Sequence, residues 1–415
     1  MGAPPREMDE RVVTEHMEEL MRLTETAGGV VVGTLIQRMK ATDPHTHIGS
    51  GKVDELRELV QETEADLVIF DDELKPDQAK NLERALDVRV MDRSELILDI
   101  FASRARTREA KLQVELAQLE YLLPRLARMW THLSRIRGGI GLRGPGETQL
   151  ETDRRLIGRR ISELRRRLRT VTAARETQRK RRTGIYRAAL VGYTNAGKSS
   201  ILRALTGDDL FVEDLLFATL DSATRQVELG SGYQAVMTDT VGFIRKLPHH
   251  LVASFRSTLE EAKEVDLLLH VIDASHPDWE EQARVVDEVL EELEVGDTPR
   301  ILVFNKVDRL SDEELDALRR RVRAFEPTPA VFVSAVTEGG QDALIEAVRA
   351  RVRSRYGVVD IELPVDSGAI LALIHREGEV VSMREEGSRI HLTARVPEAL
   401  LGRLRQDPQV VVTVG

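Results

Sequence analysis

One stretch restricts what this chain can fold into more than any other: Gly192-Tyr193-Thr194-Asn195-Ala196-Gly197-Lys198-Ser199-Ser200. It follows an apolar run, Ala188-Ala189-Leu190-Val191, that reads as a buried strand. It leads into Ile201-Leu202-Arg203-Ala204-Leu205, where apolar residues recur at helical spacing. Strand, glycine loop, Lys-Ser and helix together form the pattern of a phosphate-binding loop. Gly192 and Gly197 let the backbone curl so that successive N–H groups converge on an anion, and the helix N-terminus adds partial positive charge. Lys198 is then placed to reach β- and γ-phosphates, and the Ser199 hydroxyl to ligate Mg²⁺. The competing reading, a glycine turn with a nearby lysine, does not account for the flanking strand and helix.

At 415 residues the chain exceeds what one core organises, so about two to four domains are expected. No apolar run reaches the length of about 20 residues that a membrane helix needs, and residues 1–7 lack a secretory core. A cytoplasmic location is expected. Cysteine is absent, which excludes a disulfide framework and a thiolate metal site. The net charge of −10 argues against a protein that coats nucleic acid uniformly.

The expected fold class is α/β and multidomain. Over 1–105, helices at 6–27, 53–64, 76–86 and 94–105 alternate with strands at 30–36, 66–70 and 88–91, giving a small parallel α/β domain, with Ser94 capping its last helix. Gly49-Ser50-Gly51-Lys52 imitates half a phosphate loop, but Thr46 and Val53 stand where glycine and Ser/Thr are required, so a glycine turn feeding a helix is expected. Residues 106–183 carry two leucine-striped helices, 107–135 and 147–182, expected as an antiparallel hairpin, with Pro124 kinking the first or starting a new turn. The tip, 137–149, holds Arg137, Gly138, Gly139, Arg143, Gly144 and Gly146. So many glycines have little packing value but allow close backbone approach. The second helix is strongly basic, beginning with Arg154, Arg155 and Arg159. A solvated helix face is the bland explanation. A one-sided basic helix beneath a glycine-arginine tip favours RNA, recognised by shape and phosphate because no aromatic residues are interleaved.

Residues 184–356 read as a doubly wound sheet with strands near 186–191, 224–229, 234–238, 267–272, 301–304 and 330–333. Residues 357–415 follow the order β-α-β-β-α-β, a small α+β domain of ferredoxin-like type.

Four further stretches select the nucleotide. Asp239-Thr240-Val241-Gly242 ends an apolar strand; the acid can hold Mg²⁺ through water, and the Gly242 N–H can meet a γ-phosphate oxygen. Asn305-Lys306-Val307-Asp308 follows another strand, and a carboxylate there accepts from guanine N1–H and the 2-amino group, which adenine cannot match. Ser334-Ala335-Val336 follows a third strand and can offer a backbone N–H to guanine O6. Phe217-Ala218-Thr219-Leu220-Asp221 lies between the loop and the acid, where Thr219 can join the Mg²⁺ shell. In this order the five stretches read as a P-loop GTPase acting on GTP and releasing GDP. Lys198, Thr219 and Gly242 are the expected catalytic groups. His45, His47, His249, His250 and His276 read as solvated or turn residues rather than metal ligands.

The five stretches resemble those of translation-factor-class GTPases. Residues 138–153 (GGIGLRGPGETQLETD) and 239–248 (DTVGFIRKLP) are closely similar to the HflX family, with further likeness at 94–106 and 111–119. The likeness covers nearly the whole chain, most weakly 1–30 and 358–415. It implies a ribosome-associated GTPase that binds the large ribosomal subunit and splits stalled or stress-damaged ribosomes, its hairpin tip directed toward the 23S rRNA of the peptidyl-transferase region. Some family members are credited with ATP use by the N-terminal domain; the degenerate Gly51-Lys52 turn gives that no support here. An assembly or dormancy factor that binds ribosomes and hydrolyses GTP incidentally is the alternative. Many GTPases carry a water-orienting glutamine after the glycine of the third motif, where this chain has Phe243. The catalytic group is therefore expected from a backbone carbonyl, a repositioned residue, the ribosome or a monovalent cation. Asn195 either helps to hold K⁺ against the phosphates or simply tolerates a tight turn. A slow intrinsic rate and a monomeric protein are expected.

Overall fold

The computed structural model describes residues 1–129, 145–180, 185–207, 215–247, 263 and 265–414. The chain divides into two compact units. The first runs Met1–Ala174 and takes in residues 215–221 and Lys246; the second holds the rest of the nucleotide domain and the C-terminal region.

The first unit begins with α1 (Glu10–Thr26), whose inward face is Val13, Met17, Leu20 and Leu23 and whose cap is Asp9, accepting from the Arg11 amide. α2 (Ser50–Thr63) and α3 (Pro76–Leu86) alternate with β1 (Leu67–Phe70) and β2 (Arg89–Asp92), which pair in parallel with Val68 opposite Val90. Val53, Leu56, Val60, Phe70, Leu74 and Leu82 pack between them. The strand expected at 30–36 does not form. Only Ile36 is bridged, to Gly2, and Val30 is 84% exposed, because this stretch finds no strand partner along its length. α4 (Arg93–Arg104) is capped by Asp92, which accepts from the Glu95 amide; Ser94, expected as cap, lies buried inside the first turn. α5 (Arg108–Met129) continues through Pro124. Arg125, one residue on, is anchored to the Leu74 carbonyl (3.1 Å), to Asp92 (3.0 Å) and over the Tyr121 ring, which holds the helix in register past the missing amide. α6 (Pro145–Lys180) packs on α5 through Leu112, Leu116, Ile161 and Leu164. Truncating the fully buried Leu164 to alanine removes about 2–5 kcal/mol of packing.

In the second unit, β3 (Tyr186–Gly192), α7 (Lys198–Thr206), β4 (Ala223–Gly230), β5 (Tyr233–Asp239), β6 (Leu267–Asp273), α8 (Trp279–Glu292), β7 (Arg300–Asn305), α9 (Asp312–Phe325), β8 (Ala330–Phe332) and α10 (Asp342–Ser354) build a six-stranded sheet. Its order is β4-β5-β3-β6-β7-β8; β4 runs antiparallel to β5 and every other pair is parallel. Helices cover both faces, so the central strands are largely apolar: Leu267, Leu269 and Val271 on one side of β6 have no exposure, and even the polar His270 between them is buried. The strand order reverses at β3, whose neighbours are β5 and β6, and ligands of such sheets sit beyond the strand ends at that crevice. The C-terminal region, β9 (Val358–Pro364), α11 (Gly368–Glu377), β10 (Glu379–Glu386), β11 (Arg389–Arg395), α12 (Glu398–Gln406) and β12 (Val411–Val414), forms an antiparallel sheet in the order β10-β11-β9-β12, the ferredoxin-like arrangement. It is joined to the nucleotide domain where the Tyr233 hydroxyl donates to Glu379 (2.7 Å).

Candidate guanine-nucleotide site and basic helix

The turn from β3 into α7 is shaped by three residues in the left-handed or adjacent positive-φ region: Gly192, Asn195 (φ 61°) and Gly197 (φ 94°). At Gly197 a side chain is excluded twice, by φ and by crowding: a Cβ would stand 2.1 Å from Asn305 Nδ2. Lys198 opens α7 but its side chain turns back under the loop, where Nζ donates to the carbonyls of Gly192 (3.1 Å) and Tyr193 (2.9 Å). It is 6% exposed. Burial lowers its pKa to about 8; nearby Asp239 opposes the shift and Lys306 reinforces it. A phosphate in the loop would supply the counter-charge.

Asp239, 2% exposed, ends β5, and the Ser199 hydroxyl donates to its Oδ2 at 2.5 Å. Hydroxyl and carboxylate are hard oxygen donors, the set Mg²⁺ uses when phosphate oxygens and water supply the other positions. The residues present therefore fit the ion. Among the described residues no group of three or more His, Cys, Asp or Glu could hold a metal without such help. Thr240 ties this stretch to β3 through a hydrogen bond from its hydroxyl to the Leu190 carbonyl (2.7 Å). Gly242 then passes so close to the loop that a Cβ would lie 2.6 Å from Thr194 Cα. Phe243, in the position glutamine often fills, is buried and has a backbone role: its N–H donates to the Gly192 carbonyl (3.1 Å), and its carbonyl accepts from the Thr194 N–H (2.6 Å). The third motif is thereby stitched to the phosphate loop.

The base-reading stretches are stitched to the same loop. Asn305, at the end of β7, donates from Nδ2 to the Ala196 carbonyl (2.9 Å) and accepts at Oδ1 from the Ala335 N–H (3.2 Å). Lys306 Nζ donates to the Asn195 carbonyl (2.8 Å) and pairs with Asp273 (2.7 Å). Val307 and Asp308 form a single 3₁₀ turn, and the Ser334 hydroxyl donates to Asp308 Oδ1 (2.6 Å), fixing the carboxylate expected to read guanine. The Ser334 oxygen also accepts from the Val336 and Thr337 amides, which curls Ser334-Ala335-Val336 beside it. Asp273 is not among the site residues the motifs select. Its signal in the sequence is an acid closing the apolar run Leu267–Ile272, as Asp239 closes β5.

Phe217-Ala218-Thr219-Leu220-Asp221 belongs to the first unit. Phe217 is fully buried and meets the Phe101 ring edge-on, 4.7 Å between centroids. The Asp221 carboxylate accepts from the Arg106 (3.0 Å) and Thr107 (3.1 Å) amides and from the Thr107 hydroxyl, just ahead of α5. Lys246 lies in this unit too, paired with Asp71 (2.8 Å) and Asp72 (2.6 Å). His47, expected as a solvated or turn residue, is a turn residue (φ 65°) but only 6% exposed. The His276 Nδ1 accepts from the Asp278 amide; His249 and His250 lie outside the described residues.

On α6, Arg154, Arg155 and Arg159 are exposed, whereas Arg160 forks onto Glu115 (2.7 and 2.9 Å) and Arg165 pairs with Glu120 (2.8 Å). Packing against α5 thus consumes part of the basic charge and leaves Arg154, Arg155 and Arg159 facing solvent. Gly146 stands in the first turn of α6; Arg137, Gly138, Gly139, Arg143 and Gly144 lie outside the described residues. No helix among the described residues is long and apolar enough to cross a membrane.

The sheet order and the phosphate loop at its reversal point define a P-loop GTPase. Three family models match consecutive stretches: "GTP-binding GTPase N-terminal" over residues 14–102, "GTP-binding GTPase Middle Region" over 104–182 and "50S ribosome-binding GTPase" over 187–306. GTPase HflX of Alkalihalophilus pseudofirmus is 48% identical over 380 residues, covering 90% of this chain and 87% of that protein. GTPase HflX of Escherichia coli K12 is 43% identical over 403 residues, covering 96% and 93%. A solved structure described as "crystal structure of SsGBP and GDP complex" aligns with 27% identity and a TM-score of 0.47 over 82% of this chain and 96% of that one. The chain belongs to the HflX family of GTPases.

Proposed function

We propose that this GTPase binds GTP on the Gly192–Ser200 loop with guanine against Asp308, and uses the nucleotide state to act on the large ribosomal subunit, splitting stalled or stress-damaged ribosomes. The observation that carries the nucleotide assignment is the direct bonding of Asn305 and Lys306 to the carbonyls of Ala196 and Asn195, which makes base site and phosphate loop one rigid receptor. Ser199 would hold Mg²⁺ directly and Asp239 through water, and the ion would offset charge developing on the phosphates. Lys198 would move its donors from loop carbonyls to β- and γ-phosphate oxygens, and the Gly242 N–H would meet the γ-phosphate. Phe243 offers no side-chain donor or acceptor, so orientation of the attacking water comes from elsewhere. We assign that role to the ribosome-bound state, with K⁺ beside Asn195 as a further contributor. Arg154, Arg155 and Arg159, with the tip glycines and arginines, would bind 23S rRNA phosphates near the peptidyl-transferase region. The protein acts as a monomer in the cytoplasm.

Sedimentation of intact ribosomes with the protein and a non-hydrolysable GTP analogue tests this. Separated subunits are expected with the analogue, and intact particles with GDP. Ribosomes that stay whole in both, while the protein co-sediments, would favour a dormancy or assembly role instead.

A further inference from the structure

We infer that Asp273 is a positioning residue for guanine-nucleotide binding, acting through Lys306; this rests on the reading of the Gly192–Ser200 loop as the nucleotide site. Asp273 ends β6, the strand beside β3 at the point where the sheet order reverses. One carboxylate oxygen, Oδ1, accepts from the Ser275 N–H (3.0 Å) and the Ser275 hydroxyl (2.6 Å). The other, Oδ2, accepts from Lys306 Nζ (2.7 Å). The carboxylate is therefore oriented by its own turn before it meets the lysine.

Lys306 needs such a partner for two reasons. Its backbone is left-handed (φ 64°), a conformation a lysine adopts at a cost, and it bonds Asn195, which is left-handed as well (φ 61°). Two strained residues are thus joined by one ammonium group. Its side chain is 14% exposed, and that of Asp273 13%. At that burial an ammonium bonded only to a carbonyl would be poorly compensated, and a fixed carboxylate pairs with it and keeps it aimed. The Ala274 N–H donates to the Asn305 carbonyl (2.9 Å), so the same turn also steadies the residue before Lys306. Asp273 touches none of the groups assigned to the γ-phosphate. Its effect belongs to binding, where ground state and transition state gain equally.

The test compares wild type, Asp273→Asn and Ser275→Ala, measuring GDP affinity, the KM and kcat for GTP, and the melting temperature without nucleotide. Asp273→Asn keeps the shape and one acceptor but loses the charge. It is expected to weaken GDP and raise the GTP KM by about tenfold to a hundredfold, with kcat within about threefold. Ser275→Ala should shift affinity and KM in the same direction by about threefold to tenfold. Wild-type affinity and KM in Asp273→Asn would overturn the inference. So would a fall in kcat at unchanged KM, or a loss of affinity matched by a melting temperature too low for the protein to be folded in the assay while Ser275→Ala is unaffected. Failure of the wild type to bind GDP would instead refute the nucleotide-site reading.

Discussion

Two short stretches of this chain look nearly alike on paper, Gly49-Ser50-Gly51-Lys52 and Asn195-Ala196-Gly197-Lys198, and they fold into different objects. In the first, Gly49 is an ordinary N-cap (φ −65°), its N–H is taken by Gln37 (3.0 Å), and its carbonyl accepts from Lys52 and Val53. Gly51 is helical with nothing within 4 Å of where a Cβ would stand, and Lys52 reaches out to Glu55 (2.8 Å). In the second, Gly197 is left-handed and wedged against Asn305, and Lys198 is folded inward beneath the loop. A phosphate loop is therefore made by conformation and by how its lysine is held. Lys52 meets a carboxylate at the surface; Lys198 is buried against loop carbonyls, where a phosphate would complete its pairing.

The largest effect should separate the two lysines. Lys198→Ala is expected to weaken GDP binding by at least about a hundredfold, because the buried charge facing the phosphates is lost. Lys52→Ala should leave affinity within about twofold and stability within about 1 kcal/mol, as for a partly exposed i,i+3 pair. Titration with a fluorescent GDP and chemical denaturation of both variants check this; equal losses would erase the distinction between the loops.

The two glycines should differ in sign. Gly197→Ala forces a Cβ into Asn305 at φ 94° and should cost both nucleotide affinity and roughly 1–3 kcal/mol of stability. Gly51→Ala, in an open helical position, should stabilise by about 0.5–1 kcal/mol and leave nucleotide binding alone. Denaturant midpoints read both.

A pH series sharpens the contrast further. Without nucleotide Lys198 titrates at about 8, against 10.5 as the unperturbed value. Between those values the unfolded chain carries a proton that the folded one lacks, so this group adds stability as pH rises from about 8 toward 10.5. Nucleotide binding needs the charged form, and GDP affinity should fall about eightfold between about pH 7.5 and about pH 9. A flat profile would mean that Lys198 keeps its proton without phosphate.

Much of the second unit is legible in the sequence because its signals are local. Apolar runs closed by Asp239 or Asn305 mark strands buried on both faces, and glycine with lysine marks the turn between strand and helix. The misses are places where a distant partner decides. The valines at 30–32 look like a strand until the neighbouring chain offers only the Gly2–Ile36 bridge. Ser94 loses the cap to Asp92 because Asp92 sits at the strand end with its carboxylate already aimed at the Glu95 amide and at Arg125. Pro124 lies inside α5, and the anchoring of its neighbour Arg125 on Asp92 and Leu74 comes from residues far off in the sequence. Asp273 carries no motif of its own; it gains meaning only from Lys306, 33 positions away. Asp221 sits in an expected nucleotide stretch, yet its carboxylate is spent on the amides before α5.

GTP turnover by the purified protein, measured with and without large ribosomal subunits in K⁺ and in Na⁺, decides whether the ribosome completes this catalytic site. A slow rate is expected for the protein alone, because Phe243 cannot orient water, and a rate at least about tenfold higher with subunits, abolished in Lys198→Ala. A K⁺-dependent rate would give Asn195 its part in catalysis. Equal turnover with and without subunits would rule out the ribosome as the source of the missing catalytic group.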